Sequence, residues 1–525
     1  MEEKKSRTQN TIYNFSTSIL GQFLTFVMQF LVRTVFVATL GKSYLGINGL
    51  FSNILTMLSL AEFGVGGAIL FHLYEPLEKG DKRRITLLMR LYKRAYTCIG
   101  AAVAVLGLCL IPFLSLLING YDKLAALGIN VVFIFILYLL QSVSSYLFWA
   151  FKTAIIQADQ KEYMINVIGY IFTAAASVLQ MISLILVRSF ELYVFLSIVS
   201  MLGQNYTVAR MADRLYPYIN NPTEERVSAK EIVSMVRDCG ALFLYKLNSV
   251  VLKATDNIVV SVFLGLEMVG MYSNYYVFYT AINTFFNKVF NAVSHSLGNL
   301  HATHDVKREY QIFETVNIVA AVLGGTASVG IFLVADEFVD TWIGSDWLLP
   351  QPFALLMGVE LYTQAFRILH NKYRNTMGLF QQAKFRPVAG MVINLVVSIL
   401  LVKDMGICGV LLGTIIADWT TMMWFDPIII HRYGFENAYP ASVYYIKNVK
   451  YLTVIVLTAC LDRIICSCVL TGYGWASVVF HTLVCGITVP AAVILSTMGT
   501  DEGRCVIGFV KAESGKVYRK LLKRG

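Results

Sequence analysis

Five basic side chains fall inside apolar stretches of this sequence, where a charge needs a reason: Arg33, Lys246, Lys253, Lys288 and Arg367. An embedded cation costs at least about 2.5–3.5 kcal/mol on insertion scales. Either an internal acid or an anionic ligand can offset that cost. Acids are present, since Asp256 stands three residues from Lys253 on one helix face, and Glu62, Glu360, Asp418 and Asp426 lie elsewhere in apolar sequence. The other arrangement is a series of cations staggered in depth. With a helical rise of about 1.5 Å per residue, Lys246 and Lys288 would meet an anionic headgroup first, then Lys253, then Arg33. Arg367 sits near the inner end of its own span.

Polar residues in the same stretches recur at helical spacing. Asn14, Ser18, Gln22, Thr25, Gln29 and Arg33 step by threes and fours, and Asn48, Ser52, Thr56, Ser59 and Glu62 do the same in the next stretch. Lys246, Ser249, Lys253, Asp256 and Asn257 line one side of a later helix, and Asn283, Asn287, Asn291 and His295 form a ladder of step four in the one after it. Such spacing places each set on one helix face. A single Ser or Asn is accounted for by helix–helix hydrogen bonding. Charged residues on the same faces point instead to a water-filled cavity lined by these four helices.

The elements that position these residues are membrane spans. The chain has 525 residues, 57% hydrophobic and only 14% charged. A soluble domain carries about a quarter charged residues, so a soluble enzyme is excluded. About 20 apolar residues make one spanning helix. By that measure about fourteen spans are expected, near 12–39, 45–73, 95–118, 125–150, 163–187, 191–213, 238–264, 269–299, 312–335, 350–370, 387–402, 406–430, 443–461 and 475–499.

Loop charge sets the orientation. Of the 43 Lys and Arg, alternate loops on one side hold only Lys42, Lys123, Arg188, Lys403 and Arg463. By the positive-inside rule that side is the outside and both termini are cytoplasmic. The net charge of +10 therefore reflects topology rather than nucleic-acid binding. The basic stretch 74–96 and the tail from Lys511 to Arg524 read as positive-inside segments, with an interfacial lipid-binding helix as the alternative. Nine cysteines, mostly in apolar stretches, do not form a disulfide framework. No cleaved signal peptide is expected.

A shift of 224 residues aligns RTVFVATLGKSYLGINGLF (33–51) with NIVVSVFLGLEMVGMYSNY (257–275), pairing Leu40-Gly41 with Leu264-Gly265 and Gly46 with Gly270. Six spans separate the copies, which makes a parallel repeat, and transporters commonly bind substrate between such repeats. The architecture expected is therefore an all-α polytopic membrane protein with two pseudo-symmetric six-helix lobes and two C-terminal helices. Its divisions are an N-lobe 1–214, a cytoplasmic linker 215–235, a C-lobe 236–431, a final helix pair 432–500 and a basic tail 501–525. The sequence contains no Walker A motif, no His-Glu-x-x-His and no Gly-x-Ser-x-Gly. No covalent chemistry, metal or bound cofactor is expected.

The run LGKSYLGINGLFSNILTMLSLAEFGVGGAI (40–69), the basic connector after it and DNIVVSVFLG…VGMYSNYY (256–276) resemble the polysaccharide flippases of bacterial O-antigen, capsule and exopolysaccharide pathways. These belong to the multidrug/oligosaccharidyl-lipid/polysaccharide (MOP) exporter superfamily. The resemblance implies two six-helix lobes around a cavity with alternating access in the bacterial inner membrane. It implies a polyprenyl-diphosphate-linked oligosaccharide as cargo, moved from the cytoplasmic to the outer leaflet. A polysaccharide polymerase and other assembly proteins are the implied partners. Residues expected to bind the diphosphate and sugar are Arg33, Lys246, Lys253, Lys288 and Arg367, together with Gln29, Asn48, Ser52, Asn287 and Asn291. Glu62, Asp256 and Asp418 are candidates for coupling to a proton or sodium gradient. The lipid II flippases of the same superfamily carry an Arg-Asp pair in the first helix, whereas Thr34 follows Arg33 here. Lipid II is therefore the alternative cargo, and a cation-coupled multidrug antiporter is the alternative transporter.

Overall fold

The computed structural model describes residues 7–59, 65–126, 128–221, 227–228, 255–301, 305–379, 382–383, 385–469, 474–504 and 508. Side chains 7–20, 65–69, 71, 123, 125–126 and 292–301 are outside that description. Among the described residues every regular element is a helix. The long ones are α1 (Arg7–Leu40), α2 (Lys42–Leu58), α3 (Val65–Lys79), α4 (Lys82–Leu110), α5 (Val131–Leu147), α6 (Glu162–Leu186) and α7 (Phe190–Leu215). After them come α8 (Thr255–Leu264), α9 (Leu266–His301), α10 (Val306–Ile343), α11 (Pro352–Thr376) and α12 (Arg386–Met405). The last are α13 (Ile407–Thr421), α14 (Ala441–Val469) and α15 (Trp475–Thr497).

Local chemistry sets the ends of these helices. The side chains of Asp81, Asn130, Ser189 and Asp305 each accept a hydrogen bond from a backbone N–H in the first turn of the helix that follows. Such caps satisfy donors that a helix start leaves open. Gly41, at φ 80° and ψ −167°, separates α1 from α2. That region of backbone space is essentially restricted to glycine. Gly265, at φ 88°, separates α8 from α9 in the same way.

The chain divides into two compact units, Met1–Gly270 and Met271–Gly525. In the first, α1 packs along α6, α6 along α7, and α5 along both α4 and α2. In the second, α10 packs on α11 and α15, α12 on α13, and α14 on α15. The core of the second unit gathers Phe286, Phe290, Phe313, Phe366, Tyr373 and Tyr444. Large apolar side chains such as Leu116, Leu186, Ile446 and Ile487 stand on the outside. That inversion suits lipid rather than water as the surrounding solvent.

Nine described helical segments are long and apolar enough to cross a membrane, or ten if the bent pair Val131–Leu147 and Ala150–Ala158 is one span. The protein is a multi-pass membrane protein. The remaining expected spans have distinct fates. The stretch 45–73 is interrupted, because α2 ends at Leu58 and α3 begins at Val65. The stretches 269–299 and 350–370 lie on α9 and α11, continuous helices whose polar faces keep them off the apolar count. The stretch 238–264 lies outside the described residues up to 254 and continues as α8.

Two smaller readings change. The basic stretch 74–96 is not one interfacial helix. It comprises the end of α3, a turn at Gly80, and the start of α4, where Ile85, Leu88, Met89 and Tyr92 are buried. Arg463, expected in an outer loop, lies within α14 over the ring of Phe332 on α10. The described cysteines are free.

Candidate functional site

In the first unit the repeat turn is built from close backbone approaches. A Cβ on Gly46 would overlap the Leu266 carbonyl, and one on Gly270 would overlap that of Lys42. Leu266 and Lys42 are themselves equivalent under the 224-residue shift, so the two contacts are images of each other. Asn119 and Ser261 strengthen this corner: the Asn119 N–H donates to the Ser261 carbonyl at 3.2 Å, and the Ser261 hydroxyl donates to Leu117 O at 2.7 Å.

Arg33 is on α1, about two turns before this corner. Its electrostatic neighbour is Tyr193 on α7. Tyr193 belongs to an aromatic cluster: Phe36 meets Tyr193 at 5.2 Å between centroids and Phe190 at 5.7 Å, while Phe51 meets Tyr138 at 5.8 Å. The Tyr138 hydroxyl donates to the Asn48 side chain. Arg33 and Asn48, chosen from separate stripes, thus reach one phenol-rich region of α1, α2, α5 and α7. Sequence spacing did not identify Tyr138 and Tyr193, because neither belongs to a polar stripe of helical period on its helix. Gln29 and Ser52, on the same stripes, are exposed. Asp256 is buried on α8 beside Asn257. Glu62, Lys246 and Lys253 lie outside the described residues.

The second unit answers the charge question differently. Glu360, Arg367 and Arg374 recur at steps of seven on α11 and so share one face. Arg367 contacts Asp418 of α13 at 2.8 Å and Glu360 at 3.7 Å, and donates to Gln364 and to the Tyr279 hydroxyl. Gln364 donates to Asn283 at 2.6 Å, and Asn287 donates back to the Asn283 carbonyl at 2.9 Å. About two turns farther along, Asp426 is clamped between Arg374, at 3.2 Å, and Arg386. Three guanidiniums therefore face three carboxylates. Arg367 and Asp418, read from the sequence as substrate-binding and ion-coupling residues, are partners of each other in this network. The ladder Asn283–Asn287 joins it through Gln364, while Lys288 and Asn291 are exposed. Gln364 and Tyr279 were missed, because on α11 and α9 they resemble ordinary packing positions.

Near the first turns of α14 another ion cluster forms. Lys447 contacts Glu314 of α10 at 2.8 Å and Glu502 at 3.3 Å. Tyr310 donates to Glu314 at 2.7 Å and stacks on Tyr439 at 3.7 Å. In the first unit, the buried Lys152 contacts Asp213 at 2.5 Å.

These two helical units can be compared with known folds. Over 93% of this chain and 99% of the other, the structure matches the lipid II flippase MurJ with a TM-score of 0.65 at 13% identity. A multidrug resistance MATE family transporter of the MOP superfamily matches over 79% of this chain and 96% of its own, with a TM-score of 0.62 at 15% identity. A MATE transporter from Vibrio cholerae matches over 82% and 99%, with a TM-score of 0.50 at 14% identity. This chain shares its fold with these transporters. Residues 95–352 also match a family described as "Polysaccharide biosynthesis protein". No curated protein matches the sequence. Part of the chain thus matches a polysaccharide biosynthesis family in sequence, and most of it shares its fold with these transporters. Among the described residues no group of three His, Cys, Asp or Glu side chains converges.

Proposed function

We propose that the protein is a flippase for a polyprenyl-diphosphate-linked oligosaccharide, moving it from the cytoplasmic to the outer leaflet by alternating access. The observation that carries this reading is the setting of Arg33. The guanidinium has the Tyr193 phenol as an electrostatic neighbour, and Tyr193 belongs to a ring cluster with Phe36 and Phe190. A guanidinium fork matches phosphate oxygens. Tyrosine presents an apolar face and a hydroxyl, a combination suited to a sugar next to a lipid diphosphate. The family match to polysaccharide biosynthesis supports the same cargo.

In this reading the protein lies in a bacterial cytoplasmic membrane with both termini inside, as the loop charges indicate. A proton or sodium gradient drives it, and a polymerase receives the product. Lys246, Lys253 and Lys288, with Gln29, Ser52, Asn287 and Asn291, complete the path for the headgroup. Arg367, held by Asp418 and Glu360, shapes the second unit.

Mass spectrometry of lipid co-purifying with the protein tests the reading. Recovery of a polyprenyl-diphosphate glycan, lost in Arg33→Ala, supports it. Recovery of lipid II would assign the peptidoglycan precursor as cargo. Bulk phospholipid alone, together with efflux of cationic drugs by the intact chain, would replace it with an antiporter.

A further inference from the structure

The function above leaves one buried titratable cluster unused. On α10, α14 and α15, Glu337, Asp462 and His481 are each more than nine-tenths buried. The Glu337 carboxylate lies 2.7 Å from His481 Nδ1, and the Ser477 hydroxyl lies 3.5 Å from the same nitrogen. Farther along α15, the Thr488 hydroxyl donates to Asp462 Oδ2 at 2.7 Å. His481 and Thr488 are seven residues apart, so they share one face about 10 Å apart along the helix. Cys485 is buried between them, and Cys466 is buried one turn from Asp462. Arg463, next to Asp462, is exposed over Phe332, and Asp336 and Asp340 flank Glu337 on α10.

Two atoms here stand apart. His481 Nε2 and Asp462 Oδ1 are both buried and make no hydrogen bond. With Nδ1–H donated to Glu337, Nε2 carries a buried lone pair with no donor. Structural packing alone does not call for a basic lone pair and a carboxylate in apolar surroundings, and intramembrane ionisable residues commonly mark proton relays.

We propose that the Glu337–His481 pair is a proton-binding site, and that the proton it carries is the coupling ion of the exporter. The proton adds to the Nε2 lone pair. The resulting imidazolium keeps its Nδ1–H on the Glu337 carboxylate, so the pair passes from net negative to neutral without leaving its place. Asp462 of α14, held by Thr488 about two turns along α15 from His481, is the second station. The ligand is a proton rather than sodium, because a hard cation selects oxygen donors and the open atom is an imidazole nitrogen. The coupling role rests on the flippase reading, while the proton site itself does not.

The test uses the full chain in lipid nanodiscs with nitrogen-15-labelled histidine. His481 is assigned by the resonance lost in His481→Asn, and its protonation is followed across the neutral pH range. The expected result is one titration whose midpoint moves to at least tenfold higher proton concentration in Glu337→Gln, with Ser477→Ala moving it less. A His481 signal fixed in one form throughout, or unmoved by Glu337→Gln, overturns the site. If His481→Asn fails to fold, the Glu337→Gln and Ser477→Ala spectra still decide. Glycolipid co-purification is scored on the same samples. Cargo without titration sinks the proton site and leaves the flippase, whereas titration without cargo removes the flippase and the coupling role together. Export whose pH profile is the same in Glu337→Gln as in the parent overturns the coupling role alone.

Discussion

Gly46 lies directly against the backbone of Leu266, and its repeat partner Gly270 lies against that of Lys42. The obstacle in both cases is main chain, which cannot turn aside as a side chain would. The cost of substitution should therefore grow with side-chain size at Gly46, with Ala lowering stability by about 1–3 kcal/mol and Val and Leu by more. Gly41 behaves differently, since nothing lies within 4 Å of a Cβ there and only its backbone angles object. Gly41→Ala should cost about 1–3 kcal/mol, and larger residues should add little. Thermal unfolding of the two series in detergent separates a flat dependence from a rising one.

The Arg367–Asp418 pair is buried and hydrogen-bonded. Removing one partner from a buried pair costs about 3–5 kcal/mol, because the other charge is left uncompensated. Arg367→Ala and Asp418→Ala should each destabilise strongly. The double substitution should be milder than their sum, with a coupling energy of about 1–3 kcal/mol. Additive losses in a thermal-unfolding cycle would mean that the pair is not coupled.

Arg33 should respond as a binding residue. Arg33→Ala should reduce glycolipid co-purification by roughly tenfold or more, the loss expected for a charge-assisted contact of about 1.5–3 kcal/mol. Arg33→Lys should restore little, since an ammonium does not reproduce the fork. The unfolding temperature should change far less than in Arg367→Ala. A large loss of stability with cargo retained would make Arg33 structural.

Glu502 gives a pH dependence. Burial would raise its carboxyl, but its own backbone N–H and the Lys447 ammonium outweigh this and hold it below the usual range. A depressed folded value means that the contact stabilises above the unfolded value, and that this contribution is lost as pH falls through the folded one. The unfolding temperature of the parent should therefore exceed that of Glu502→Gln at neutral pH, and the two should converge in acid. A gap that persists in acid would assign the effect to packing.

Some of this was legible in the chain alone. Length, low charge and apolar runs dictate a helical membrane protein, because lipid leaves backbone groups no partners other than each other. Local pattern also exposed the repeat, since Leu40-Gly41 and Leu264-Gly265 keep their spacing wherever the helices go. The stripe on α1 did lead to Arg33, and the ladder on α9 led to Asn283 and Asn287. What spacing could not supply was the partner across the helix interface. Asp418 is 51 residues from Arg367, Glu337 is 144 from His481, and Tyr138 is 90 from Asn48. Periodicity states which face a residue occupies but carries no record of which helix packs there. Only the tertiary structure decided that Arg367 is neutralised within its own unit, that Arg33 has Tyr193 of α7 as an electrostatic neighbour, and that Glu337 of α10 meets His481 of α15.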